Sequence, residues 1–314
     1  SRPSSYVVKD GGTGPSYESV SEPTISWDGR RVGYVAIRGY RRVVVIDGVE
    51  HREYQSATRP IFDLSGQHVC YTVGDLGKTY LFRDGEYSEV DAGATGLQFS
   101  RDGAHLAYVA PRARQQVLVV DGKDRAMSAE ILADTSLFSP DGNHTAYWAA
   151  HGDESWHLVV DGKAVWEQTE PPSPLHFTPD GRHVIHWQTR DSRARVIVDS
   201  APGNEYDAIG MPRMSVDGRV AHVARRGNPW MVVVDGVEGP HFESVGNPTF
   251  SQDGKHVAYT AWTSPNRACV IVDGQKGPEF DAVMPGGPSY RPDGALEYLA
   301  LRKSLLLRVR HLPR

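Results

Sequence analysis

Two short elements recur eight times each along this chain of 314 residues, and they interleave. One is a serine, a variable residue and Asp-Gly followed by a short apolar run, as in "FSQDGKHVAYTA". The other is a valine-rich run that ends in Asp-Gly, as in "ACVIVDG". The glycine of the first falls at Gly29, Gly66, Gly103, Gly142, Gly181, Gly218, Gly254 and Gly294, at spacings of 36 to 40 residues. The aspartate of the second falls at Asp10, Asp47, Asp84, Asp121, Asp161, Asp199, Asp235 and Asp273, over the same range of spacings. Self-similarity at this period marks a repeat architecture, in which each unit buries its faces only against its neighbours. At the Asp-Gly pair itself one copy departs in each series: Ser65 stands at a turn aspartate and Ser200 at a second glycine.

Each unit reads as four strands. Over residues 248–283, "PTFS" is a first strand, "QDGK" a tight turn and "HVAYTA" an alternating second strand. "WTSPNR" reads as a loop, "ACVIVDG" as a third strand and "GPEFDAV" as a fourth. Asp-Gly supplies the positive backbone angles of hairpin turns, and β-branched and aromatic residues suit strands. No sustained 3.6-residue apolar period argues for helix. A lone four-stranded meander cannot bury both faces, whereas radial stacking buries them all. A β-helix is the rival, but its coils would not need two hairpin turns per unit. The expectation is an all-β, eight-bladed β-propeller of four-stranded antiparallel blades, one domain over 1–314. Seven complete units lie between residues 6–20, which supply a third and fourth strand, and 288–302, which supply a first and second. The two chain ends would then share the closing blade. "SLLLRVRHL" at the C-terminus is a rival for the third position.

No apolar run is long enough to span a membrane. Cys70 and Cys269 sit in separate apolar runs and read as buried free thiols.

The segments "FSPDGNHTAYWA" and "FSQDGKHVAYTA" resemble the WD-like propeller repeats of the TolB type. The resemblance covers essentially the whole chain as a pattern. It implies a propeller, and a periplasmic or secreted setting, with the cytoplasm left open. It implies no single activity, because such propellers serve as binding platforms, substrate gates and occasionally enzymes. The family's namesake resembles a six-bladed ring with an additional N-terminal domain. This chain shows eight repeats and no such domain, so the namesake's role is not carried over.

Residues present in nearly every unit belong to the scaffold. The turn aspartates are expected to bond nearby backbone N–H groups. His68, His105, His144, His183 and His256 each follow a turn glycine by two residues and are expected to bond between neighbouring blades. Six second strands carry Tyr34, Tyr71, Tyr108, Tyr147, Tyr259 and Tyr298, where two others carry His186 and His222. Equivalent atoms on stacked sheets lie about 10 Å apart, too far to share one ion. No metal or cofactor is therefore expected. G-x-S-x-G, H-E-x-x-H, paired cysteines and a phosphate-cradling loop are all missing.

The asymmetry lies between the two ends of the strands. Both Asp-Gly series mark one face. The segments between second and third strands lie on the other, and carry fourteen Arg or Lys against Asp75, Asp153, Glu154 and Asp191. The chain as a whole has net charge −5. The candidate ligand-binding residues are Arg38, Arg112, Arg114, Arg190, Arg225, Arg226 and Arg267, with Trp148, Trp187, Trp230 and Trp262 among them. Arginine with tryptophan is the composition of interface hot spots; ordinary solvated loop arginines are the plainer reading. The fourth-to-first connections look mostly neutral and would not cancel the charge. The functional expectation is a non-catalytic scaffold, monomeric, recruiting a protein or an acidic ligand on this face. The alternative is a propeller enzyme, of hydrolase or lactonase type, with its site at the mouth of the central channel. The negative total charge disfavours nucleic acid.

Overall fold

The computed structural model describes residues 4–132, 137–150, 152 and 155–312. Among them every regular element is a strand. The chain divides into two compact units, Ser1–Glu167 and Gln168–Arg314, each considered by itself. Among the described residues each unit holds four antiparallel sheets of four or five strands, the fourth of the first unit ending at the boundary, and the first unit also holds the two-stranded sheet of Val8–Lys9 and Gly12–Thr13. This is a β-propeller built of four-stranded antiparallel blades. Second and third strands form the central hairpins. In the first unit these are Val32–Arg38 with Arg41–Ile46, Val69–Asp75 with Lys78–Arg83, Leu106–Arg112 with Gln115–Val120, and Ala146–Ala150 with Trp156–Val160. In the second they are Val184–Arg190 with Arg193–Val198, Val220–Arg225 with Trp230–Val234, Val257–Ser264 with Arg267–Val272, and Leu296–Arg302 with Leu305–His311. They define blades 1 to 8 in chain order.

The second strands do not alternate in burial as expected. Val257 to Ala261 are all buried, as are Val32 to Ala36. A strand sandwiched between neighbouring sheets has no solvent side, so it reads as a continuous apolar run. Val35, Val44 and Ile46 of blade 1 pack with Tyr71, Val73 and Phe82 of blade 2. Val223 and Val232 of blade 6 pack likewise with Tyr259 and Ile271 of blade 7. Each such side chain contributes roughly 1.5–3 kcal/mol by leaving water, so stacking stabilises a sheet that is marginal alone.

The turn chemistry explains the repeat. Asp235 and Gly236 have φ of 50° and 80°, the left-handed pair of a type I′ hairpin. Asp235 Oδ1 accepts from Val220 N at 2.9 Å and Oδ2 from Arg219 Nε at 2.8 Å. In five blades a histidine replaces the arginine: His68 Nδ1, for example, lies 2.7 Å from Asp84 Oδ2, and His256 Nδ1 the same distance from Asp273 Oδ2. These histidines therefore tie strands within their own blade, not between blades as expected. The longer arginine is what reaches across. Arg219 Nη1 donates to Gly254 O at 3.2 Å and Lys255 O at 2.8 Å, and Arg31 makes the equivalent bonds to Gly66 and Gln67.

The other turn aspartates bond backbone N–H groups as expected: Asp102 Oδ1 accepts from Ala104 N at 3.1 Å and also from Ser100 Oγ. In blade 2 the two residues are exchanged. Ser65 Oγ donates to Asp63, and Asp63 Oδ1 accepts from His68 N at 2.8 Å. Gly218 (φ 88°) shows why the turn glycine recurs. A Cβ there would lie 2.8 Å from Asp180 Oδ2, the turn aspartate of the preceding blade.

The last blade is completed differently from the expectation. Its third position, held open for residues 6–10, is filled by Leu305–His311, in register from Leu296↔His311 to Arg302↔Leu305. Val8–Lys9 instead pairs with Gly12–Thr13. The C-terminal strand is one two-residue turn away from its partner, and so short a loop closes at little entropic cost. Leu307 and Val309 add apolar contact to the Val270 and Tyr298 cluster. The N-terminal hairpin nevertheless keeps the repeat's bonding. Tyr17 Oη donates to Glu50 Oε1 at 2.7 Å in the first unit, as Tyr206 Oη does to Glu238 Oε1 at 3.0 Å in the second.

Two outcomes are expected. Asp235→Ala removes two hydrogen bonds and should lower unfolding free energy by about 2 kcal/mol, read from denaturant midpoints. A chain ending at Lys303 exposes the edge of Leu296–Arg302 and should aggregate or melt far below the full chain. A truncated protein with unchanged melting would mean that another segment holds the third position.

Candidate functional site

Most of the segments between second and third strands are tight turns, not long loops. In blades 1, 2, 3, 5, 7 and 8 only two residues separate the strands. The stretch "WTSPNR" is mostly strand, since Val257–Ser264 runs into it. Most of the expected loop arginines therefore sit at strand ends, from which their long side chains reach carboxylates on the fourth strand of the same sheet. Asp153 and Glu154 lie outside the described residues.

That placement pairs the arginines. Arg38 Nη1 donates to Glu53 Oε1 at 2.9 Å and Nη2 to Glu50 Oε1 at 2.8 Å. Arg112 is held by Asp91 at 2.8 Å and by Asp124. Arg226 makes a forked pair with Glu238 at 2.8 and 3.2 Å, and Arg267 reaches Glu279 at 3.5 Å. Arg190 meets Glu170 at 3.3 Å and Arg193 meets Asp207 at 2.7 Å. The expected uncancelled charge is thus corrected. Carboxylates on fourth strands, and Asp91, Glu170 and Asp207 in the fourth-to-first connections, offset most of it. The offset was visible in the sequence. Arg38–Glu50, Arg112–Asp124, Arg226–Glu238 and Arg267–Glu279 are all 12 residues apart, the length of one third strand and its turn.

Two of these pairs belong to a constellation built twice. Tyr17, Glu50 and Arg38 in the first unit match Tyr206, Glu238 and Arg226 in the second. The guanidinium lies over the phenol ring at 5.6 Å in one and 5.0 Å in the other. The Tyr17 hydroxyl, then the Arg38 guanidinium, hold the Glu50 carboxyl below the usual carboxylate range. Arg114, which is exposed, and Arg42, Arg225, Arg302 and Lys303 have no carboxylate in ion-pair reach among the described residues.

The tryptophans do not stand out as anchors. Trp148 is fully buried in the second strand of blade 4. Trp187 is half-buried and stacks on His176 with ring centres 5.9 Å apart. Trp230 lies under the Arg225 guanidinium at 5.4 Å, and Trp262 packs beside the Val270 cluster. Among the described residues, exposed apolar side chains at the hairpin ends include Tyr40 and Leu76, at the turns of blades 1 and 2, and Leu305 and Leu306 after the turn of blade 8. The signal of the first two was a large apolar residue beside the turn glycine, in "RGYR" and "DLGK".

His186 and His222 are buried in their second strands. Burial pushes both imidazoles down to about 4, with the Arg195 charge adding to the effect at His186. Among the described residues no three His, Cys, Asp or Glu side chains gather as a metal site. Cys70 and Cys269 are buried free thiols. His222 Nε2 has no hydrogen-bond partner among the described residues, and the ring meets Tyr206 edge-on at 5.9 Å. The fold binds neutral imidazole, whereas the unfolded chain takes up a proton near 6.5. Stability from this group is complete above pH 6.5 and is lost as pH falls toward 4. His222→Tyr, the residue of six other blades, should flatten the acid limb of stability over that window in denaturant midpoints. An unchanged limb would mean that other groups govern it.

No family model matches this chain, and no curated protein matches it. Solved structures do. A structure described as the eukaryotic initiation factor is 11% identical, with 94% of this chain and 85% of that one covered and a TM-score of 0.46. TolB from Acinetobacter baumannii is 15% identical over 81% of this chain and 77% of its own, with a TM-score of 0.32. The β-propeller domain of the Trilobed protease from Pyrococcus furiosus is 12% identical over 82% and 96%, with a TM-score of 0.42. What those proteins do belongs to them.

Proposed function

We propose that this chain is a non-catalytic binding scaffold that recruits a protein or an anionic ligand through the hairpin ends between its second and third strands. One observation carries the reading. The opposite turns repeat the same aspartate at left-handed φ from blade to blade, because the fold needs it there. The hairpin ends share no such residue, yet they concentrate arginines oriented by carboxylates and aromatic rings. Side chains held in fixed geometry at a surface lose little entropy on binding. Carboxylate pairing also means that long-range attraction falls to the unpaired cations, Arg42 and Arg114 in the first unit and Arg225, Arg302 and Lys303 in the second.

Dextran sulfate tests the reading as a simple polyanion. Its affinity should fall as salt rises to physiological strength, because exposed charges are screened beyond about 8–10 Å. Arg42→Glu together with Arg114→Glu should weaken it about tenfold, with melting unchanged. Binding indifferent to both salt and the double change, or no binding at all, would leave these ends as solvated scaffold.

A further inference from the structure

The hairpin ends of blades 1 and 2 carry features the propeller does not use. Tyr40 is 98% exposed and Leu76 is 85% exposed, each within a two-residue turn. Leu76 has φ of 51°, the left-handed region in which its Cβ crowds the backbone. Asn, Asp or Gly is the usual occupant of such a position. Leucine is thus unfavourable for the turn, and a side chain left in water adds nothing to the core. The two apices are also tied together. Arg41, next to Tyr40, donates from Nη1 to Oδ1 of Asp75, next to Leu76, at 3.0 Å. Arg52 Nη2 reaches Oδ2 of the same carboxylate at 3.5 Å.

Cations surround both apices. Arg41 and Arg42 follow Tyr40, and Lys78, which pairs with Glu89 at 2.7 Å, follows Leu76-Gly77. Arg41 and Arg52 share the single carboxylate of Asp75. The same composition recurs in the second unit, where Arg302 and Lys303 precede Leu305 and Leu306, which are 65% and 61% exposed. The turns of blades 5 and 7 are polar by contrast, Asp191-Ser192 and Pro265-Asn266.

A side chain projecting from a turn is a poor centre for a protein interface, where anchors lie in packed, desolvated pockets. It suits a soft surface into which a tip can sink. Tyrosine settles at the headgroup level, leucine at the acyl boundary, and arginine against lipid phosphates. We infer that the paired apices of blades 1 and 2 insert into the interface of an anionic lipid bilayer and hold the propeller there as a peripheral protein. The inference rests on the hairpin ends being the binding side, and names their partner.

The test uses the full chain with phosphatidylcholine vesicles, with and without phosphatidylglycerol, in a sedimentation assay. Wild-type protein should partition onto the anionic vesicles and not the neutral ones. Tyr40→Ser with Leu76→Asn should lower that partition about tenfold. Asn-Gly is the preferred type I′ pair, so Leu76→Asn alone should melt at or above the wild-type temperature. A lower melting temperature would show that the leucine serves the fold and would overturn the inference. So would vesicle binding that the double variant retains. Dextran sulfate binding without vesicle binding would refute the lipid partner while leaving the scaffold reading intact, pointing to a protein or soluble anion instead.

Discussion

The aspartate at the end of each third strand is the residue on which the blade depends. Its backbone sits at left-handed φ, from 48° to 57° in blades 1 to 7, and so turns the chain into the fourth strand. Both of its carboxylate oxygens are in use. One fixes the start of the second strand through a backbone N–H, and the other takes a histidine or arginine from the residue just before it. A single side chain thus sets the turn and the register of the hairpin it closes. Aspartate suits the position because it tolerates left-handed φ and its short carboxylate can bond the neighbouring backbone.

Much of this was legible because it is local and repeated. Asp-Gly at a fixed period names the turns, and valine runs between turns name the buried strands. What was misread depends on distance in space. The histidine after each turn glycine looked like a bridge between blades, but its reach is just enough for the aspartate in its own hairpin. Arg31 and Arg219, at the same place in the repeat, are long enough to cross. Two strands with similar sequence competed for the third position beside Leu296–Arg302. Composition could not separate them, whereas a two-residue turn favours the nearer one.

The charge of the hairpin ends shows a second limit. A tally of one strand end sees a large excess of cations. The partners lie 12 residues on, across a hairpin, and appear only when the third strand and its turn are laid beside the second. Exposed pairs of this kind contribute little to stability, with a typical value of about 0–1 kcal/mol. Their consequence is geometric. Arg38 and Arg226 are each fixed between a carboxylate and an aromatic ring, so their guanidinium positions are set before any ligand arrives.

The two sides of the repeat therefore answer to different constraints. On the Asp-Gly side the residue is dictated by φ, by two hydrogen bonds and by the approach of the next blade, as at Gly218. On the other side a two-residue turn asks only for a residue that tolerates its dihedrals, and most blades meet that with glycine, serine, aspartate or alanine. Leu76 meets it poorly, and burial gives nothing back. Strain with no return inside the fold is best placed where a binding event supplies the return. The ion pair between Arg41 and Asp75 then acquires a purpose beyond its small stabilising effect. It sets the spacing of two apolar tips on adjacent blades, so that what meets one meets both.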